Sequence, residues 1–197
     1  MNVQRRGGRW GERFLTLTAP HVPGDTVTER ILRVLNAWKF FIRKFQVWQR
    51  ERKLKSVEWL RVFEWTPGED DGSGHPHLHI WIFSQYLDRE LLLEWWLAAL
   101  HREGCTTDTA IIDIRSVNDP HAISSELIKY LTKDIDAQGD KISPDLYAEV
   151  YSALDGRRAL QASRGFMRLA ERQPPACECG EHIPPLVRRK MKERAEL

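Results

Sequence analysis

The sequence predicts an α+β fold in which four strands and two helices follow the order β-α-β-β-α-β, with a further helix after the fourth strand. Three observations carry that prediction. Short segments rich in β-branched and aromatic residues alternate in polarity, as half-buried strands do. Between them lie longer segments whose apolar residues recur every three to four positions, as on a helix with one buried face. Turn residues (Pro, Gly, Asp) fall between the segments.

Residues 13–19 form the first strand, Arg13-Phe14-Leu15-Thr16-Leu17-Thr18-Ala19, ended by Pro20. After Pro23-Gly24-Asp25 a long helix begins near Thr28. Ile31, Leu32, Leu35, Trp38, Phe41, Ile42 and Phe45 make its apolar stripe, with Arg33, Arg43, Lys44 and Arg50 around the remainder. Residues 57–65 are the second strand. A loop punctuated by Pro67, Gly68, Gly72 and Gly74 leads to the third, Gly74-His75-Pro76-His77-Leu78-His79-Ile80-Trp81-Ile82-Phe83, which reads as a strand from Leu78 onward. The second helix starts with Asp88 as N-cap, buries Leu91, Leu92, Trp95, Trp96, Ala99 and Leu100, and stops at Gly104. Residues 109–115 are the fourth strand. This order is the signature of a ferredoxin-like split βαβ unit with a central antiparallel sheet.

A third helix follows over residues 120–134. Beyond Gly139, residues 145–154 and 157–171 read as shorter helical pieces, before Pro174-Pro175 and a cysteine-containing tail with a basic terminal helix. Residues 1–137 are therefore expected to form the core. Residues 138–197 are expected to be a helical C-terminal extension, in the same domain or as a small appendage.

With 197 residues the chain is long enough for a full hydrophobic core. Its apolar runs fall short of a membrane span, its first ten residues lack the apolar core of a signal peptide, and its three cysteines argue against a disulfide scaffold. The expectation is a cytoplasmic protein without a membrane partner. The net charge of +2 hides an asymmetry: +9 for residues 1–55, −10 for residues 56–185 and +3 for the last twelve. A basic block at the N-terminus, including Arg5, Arg6 and Arg9, suits a polyanionic partner, although a solvated helix face has the same composition.

The histidine strand is the most informative stretch. Side chains alternate in a strand, so His77 and His79 project on one face while Leu78 and Ile80 point away. Two imidazoles on a rigid strand make half of a divalent-metal site. His75 has the same parity but precedes Pro76 and is expected to splay off. On the third helix Glu126, Tyr130 and Lys133 lie at i, i+4 and i+7 and share one face, with Lys129 beside it. A tyrosine flanked by lysines suits attack on a phosphodiester, because the lysines attract the phosphate and favour the phenolate. An amphipathic helix with a solvent-facing tyrosine is the plainer reading of that segment alone. Tyr147 and Tyr151 repeat the four-residue spacing without nearby lysines and read as packing residues. His21, His101 and His121 read as isolated. Cys177, Cys179 and His182, with Cys105 as a distant fourth, offer zinc ligand types. The two cysteines stand one residue apart and no second pair exists, so a structural Zn²⁺ is not expected there.

Three ordered motifs resemble those of the HUH endonucleases, and more narrowly of plasmid-type rolling-circle replication initiators. They are Phe14-Leu15-Thr16-Leu17-Thr18, His75-Pro76-His77-Leu78-His79 and Lys129-Tyr130-Leu131-Thr132-Lys133. The resemblance implies metal-assisted nicking of single-stranded DNA at an origin hairpin, a 5′-phosphotyrosine link and a free 3′-hydroxyl that primes synthesis. By resemblance Tyr130 is the nucleophile and His77 and His79 are metal ligands. Glu64, or alternatively His75, is the third ligand, and Mn²⁺ or Mg²⁺ the metal. Two-tyrosine relatives carry a second tyrosine where this chain has Glu126. A carboxylate there can act as general base on water and end the reaction after one circle, or it can simply pair with Lys129 or Lys133. The chain has no G-x-x-x-x-G-K-[ST] loop, so helicase and polymerase are expected from the host in trans. The alternatives are a single-tyrosine HUH transposase or relaxase, a non-catalytic origin-binding protein, and a metal-dependent hydrolase that uses the histidines alone.

Overall fold

The computed structural model describes residues 10–66, 74–132 and 143–172, with backbone only at residues 120, 130–132 and 169–172. The elements run β1 (Gly11–Thr18), α1 (Val27–Glu51), β2 (Glu58–Thr66), β3 (His75–Ser84), α2 (Arg89–Arg102), β4 (Ile111–Ser116), α3 (Pro120–Thr132), α4 (Pro144–Leu154), β5 (Leu160–Ala162) and α5 (Arg164–Arg172). The chain divides into two compact units, Met1–Phe166 and Met167–Leu197; the sheet and helices α1–α4 belong to the first.

The five strands form one antiparallel sheet in the order β4-β1-β3-β2-β5. Its first four strands have the arrangement expected of a split βαβ unit, with β1 and β3 side by side at the centre. One face carries Leu15 and Leu17, Trp59, Phe63 and Trp65, Leu78, Ile80 and Ile82, and it buries them against α1, α2 and α4. The other carries Phe14, Leu60, Val62 and Trp81, which pack against Ile123 and Leu127 of α3. Thus α3 covers the face opposite to the other long helices.

Local chemistry sets the helix ends. Thr26 and Glu29 form a reciprocal capping box at the start of α1, and Arg33 pairs with Asp25 just before it. Asp88 caps α2 by accepting from the Glu90 N–H, and Gly104 follows the helix with φ +81°. At the far end of α1 the buried Gln49 side chain accepts the Val57 N–H at 2.7 Å, tying the helix to the start of β2. Trp96 of α2 donates its indole N–H to the Thr18 carbonyl at 3.0 Å, which anchors the end of β1 next to the histidine strand.

The stretch from Arg157 departs from the sequence expectation. It does not begin a helix: Leu160–Ala162 adds a short strand to the edge of β2, and α5 starts only at Arg164. Three residues are too few to show alternation, and the surrounding Arg, Leu, Gln and Ala favour helix. The free edge of β2 overrides that local preference by offering hydrogen bonds, among them Phe63 N–H to the Ala159 carbonyl and Ser163 N–H to the Trp59 carbonyl, both 2.8 Å. Helix α4 docks on α1, burying Val150 and Ala153 in the main core.

Candidate functional site

The site is built on the three inner strands, on the face covered by α3. Register places His77 opposite Thr18 on one side and Glu64 on the other, and His79 opposite Thr16 and Val62. Strand alternation then aims Thr16, Thr18, Glu64, His77 and His79 to the same side. The Thr16 hydroxyl lies 3.2 Å from His79 Nδ1, and the Thr18 hydroxyl 2.9 Å from His77 Nδ1. Glu64 reaches diagonally so that its Oε2 meets His79 Nε2 at 2.8 Å. His79 and Glu64 are only 6% and 7% exposed. The His79 ring is held between two others, with Phe14 stacked at 5.8 Å and His77 at 6.2 Å.

Histidine 75 does not splay off. It stays in the strand opposite Thr66, and its ring lies 6.5 Å from that of His77. Because Pro76 lacks only its own N–H, the extended backbone before it keeps its course. His21, expected to be isolated, extends the row: its ring meets that of His75 at 6.0 Å and its Nε2 lies 2.5 Å from Arg30 Nη2. No spacing in the sequence links position 21 to position 75; only the turn after β1 brings them together.

Glu126 of α3 meets a partner that the sequence reading did not name. Arg115 of β4 donates from Nη2 to both carboxylate oxygens at 2.6 Å, and its guanidinium lies 4.8 Å over the Phe14 ring. The helix runs back along the sheet from this end. Val117 N–H bonds to the Glu12 carbonyl, Glu126 meets Arg115 at the level of Phe14, and Leu127 packs on Phe14 and Val62. Tyr130 is one turn beyond Glu126, about 6 Å further along the axis. Its side chain lies outside what the structure describes. Lys129 is exposed. Lys133, the basic residues Arg5, Arg6 and Arg9, and the Cys177, Cys179 and His182 tail lie outside the described residues. Tyr147 and Tyr151 stack on each other at 4.4 Å on α4.

Among the described residues, no three His, Cys, Asp or Glu side chains already converge as a metal site; Glu64 and His79 bond each other directly. The donor types nevertheless fit a divalent cation. A carboxylate oxygen 2.8 Å from an imidazole nitrogen requires a proton or a cation between them. In an octahedral Mg²⁺ or Mn²⁺ site with bonds of about 2.1 Å, adjacent donors sit about 3 Å apart, much as these two do. The threonines can accept Nδ1–H from both rings, which leaves each Nε2 lone pair for ligation.

The antiparallel sheet with helices on both faces, and the order of the motifs along it, agree with the resemblance to replication initiators drawn from the sequence. Comparison with known proteins gives the family: the chain matches the family model described as replication protein over residues 4–182 and belongs to that family. It is similar to Protein rep of Streptococcus pneumoniae serotype 2 (strain D39 / NCTC 7466), with 27% identity over 150 residues. That alignment covers 70% of this chain and 45% of the relative, so the chain spans less than half the length of the curated relative it matches. No solved structure matches. No described helix is long and apolar enough to cross a membrane.

Proposed function

We propose that the chain initiates rolling-circle replication by nicking single-stranded DNA at an origin. The observation that carries this reading is the buried Glu64–His79 pair with His77 stacked beside it, under the helix that contributes Tyr130. In this reading His77, His79 and Glu64 hold Mn²⁺ or Mg²⁺. The cation, when bound, withdraws charge from the non-bridging oxygens of the scissile phosphate. Tyr130 attacks phosphorus through its phenolic oxygen, giving up the phenolic proton to water. A bond forms between that oxygen and phosphorus, the bond from phosphorus to the 3′-oxygen breaks, that oxygen takes a proton from water, and the resulting 3′-hydroxyl primes synthesis. Lys129 and Lys133 draw in the phosphate. Arg5, Arg6 and Arg9 contribute to strand binding through their charge.

Glu126 acts later. At termination it takes a proton from water; the water oxygen bonds to phosphorus at the newly made strand junction, the bond from phosphorus to the 3′-oxygen breaks, and Glu126 returns the proton to that oxygen, leaving a 5′-phosphate and a 3′-hydroxyl. Arg115 holds the carboxylate in place through its two hydrogen bonds. Helicase and polymerase come from the host in trans.

The test is a labelled single-stranded origin oligonucleotide incubated with Mn²⁺ and resolved under denaturing conditions. The wild type is expected to give a covalent protein–DNA adduct. Tyr130→Phe, which removes only the attacking oxygen, is expected to bind DNA and give none. An adduct in the Phe variant, or label on Tyr147 or Tyr151, would overturn the assignment. Cleavage without any adduct would instead favour the hydrolase reading.

A further inference from the structure

The sheet face turned away from the histidines holds one charged group that packing does not explain. Arg61 lies on β2 with the parity of Trp59, Phe63 and Trp65, which line the main core. It is 3% exposed. Its Nη2 donates to the Arg158 carbonyl at 2.6 Å, while its buried Nε has no hydrogen-bond partner. Among the described residues no carboxylate forms an ion pair with it. Burial pulls the guanidinium down to about 10, so it remains charged at neutral pH. A buried cation without a counter-charge is strongly unfavourable, which points to an anion as its missing partner.

Space for that partner adjoins it. A cavity of about 230 Å³ lies between α1 and the turn after α4, with Arg61 in its wall. Lys39, Arg157 and Arg158 add three more cations, and Asn36 and Gln161 supply amides, while no Asp or Glu lines the cavity. Gly156, with φ +65°, makes the turn that delivers Arg157 and Arg158 to it. Arg157 spends only Nη1 on the Ala153 and Asp155 carbonyls, leaving its other donors available. A guanidinium matches a tetrahedral oxyanion better than a spherical halide, because its fixed donors bind two oxygens at once.

We propose that this cavity binds a phosphate group, with Arg61 as the buried anchor and Lys39, Arg157 and Arg158 around it. Two sources share that chemistry: the backbone of a nucleic-acid strand, and free phosphate or a mononucleotide. The site does not depend on the nicking reading, since Arg61 and the histidines leave the sheet on opposite faces.

The experiment melts the full chain in sodium phosphate and in sodium chloride at matched ionic strength and neutral pH. Phosphate is expected to raise the wild-type Tm above that in chloride. Arg61→Met, which keeps length and removes charge, is expected to lose the difference, and Arg43→Gln, on α1 outside this cavity, to keep it. Binding of a labelled single-stranded oligonucleotide across a salt series then separates the sources. If a strand phosphate is the ligand, Arg61→Met lowers the slope of log K against log salt by about 0.7 and weakens binding to every sequence alike. If free phosphate is the ligand, the melting effect is lost in the variant and the slope is unchanged. An equal phosphate response in wild type and Arg61→Met, with equal slopes, overturns the proposal. Should Arg61→Met fail to fold, the double variant Lys39→Gln/Arg157→Gln replaces it, and a full phosphate response and an unchanged slope in that variant overturn the proposal equally.

Discussion

His77 and His79 each have a threonine hydroxyl at Nδ1, and this matters more than the histidines' proximity. A ring whose Nδ1–H is held by a hydroxyl offers only Nε2 outward and cannot turn without losing a hydrogen bond. Thr16 and Thr18 are placed to do this from a neighbouring strand, at 3.2 and 2.9 Å, when the rings carry their proton on Nδ1. Replacing both by Val is expected to reduce cleavage 10- to 100-fold at limiting Mn²⁺, with partial recovery at high Mn²⁺ and no change in DNA affinity. Thr→Ser at both positions, which restores the hydroxyls, is expected to retain activity; a Ser variant as weak as the Val variant would mean that the methyl groups matter. Glu126 calls for a different measurement. Arg115 bonds both of its carboxylate oxygens at 2.6 Å, so Gln at this position keeps shape and loses basicity. First nicking should be near normal, whereas release of product circles should slow by roughly 10²–10⁴-fold, as for a positioned general base. Equal termination by both proteins, scored on a circular template, would leave Glu126 as a partner of Arg115 and nothing more.

At the scale of elements, the histidine strand depends on its first turn. Gly74 has φ +60°, and a Cβ there would sit 2.5 Å from the Trp65 ring and 2.6 Å from the Thr66 carbonyl. The residue just before β3 is thus pressed against the end of β2, at Trp65 and Thr66, next to Glu64. Gly74→Ala is expected to lower stability by about 2 kcal/mol or more through overpacking and left-handed strain together. Because the displaced residues flank Glu64 and His75, cleavage should fall further than DNA binding; a variant with wild-type Tm would refute the clash. Much at this scale was readable in the sequence. The four long strands, the N-cap Asp88 and the stop at Gly104 follow from alternation and capping, which are local. So does the common face of His77 and His79. What was not readable depends on contacts between distant segments: Thr16 and Thr18 as imidazole partners, Arg115 as the partner of Glu126, His21 beside His75, and β5. The threonines were within reach, since the split βαβ order seats β1 beside β3 and parity does the rest. The Arg115–Glu126 pair was not, because it depends on how α3 lies across the sheet.

For the whole molecule, the sheet acts as a partition. One face gathers His75, His77, His79 and Glu64; its other face meets α1, whose solvent side carries Lys39, Arg43, Lys44 and Arg50. Strand attraction and bond breaking should therefore be separable. The double variant His77→Gln/His79→Gln tests this; Gln is preferable to Ala because its amide can still donate to the buried Glu64 carboxylate. Cleavage and adduct formation are expected to vanish. Affinity for a single-stranded oligonucleotide, and its slope against log salt, are expected to match the wild type, because the counterions released belong to the lysines and arginines. A slope reduced along with cleavage would place the bound strand's charge contacts on the histidine face, and the partition would then not describe how this protein handles DNA.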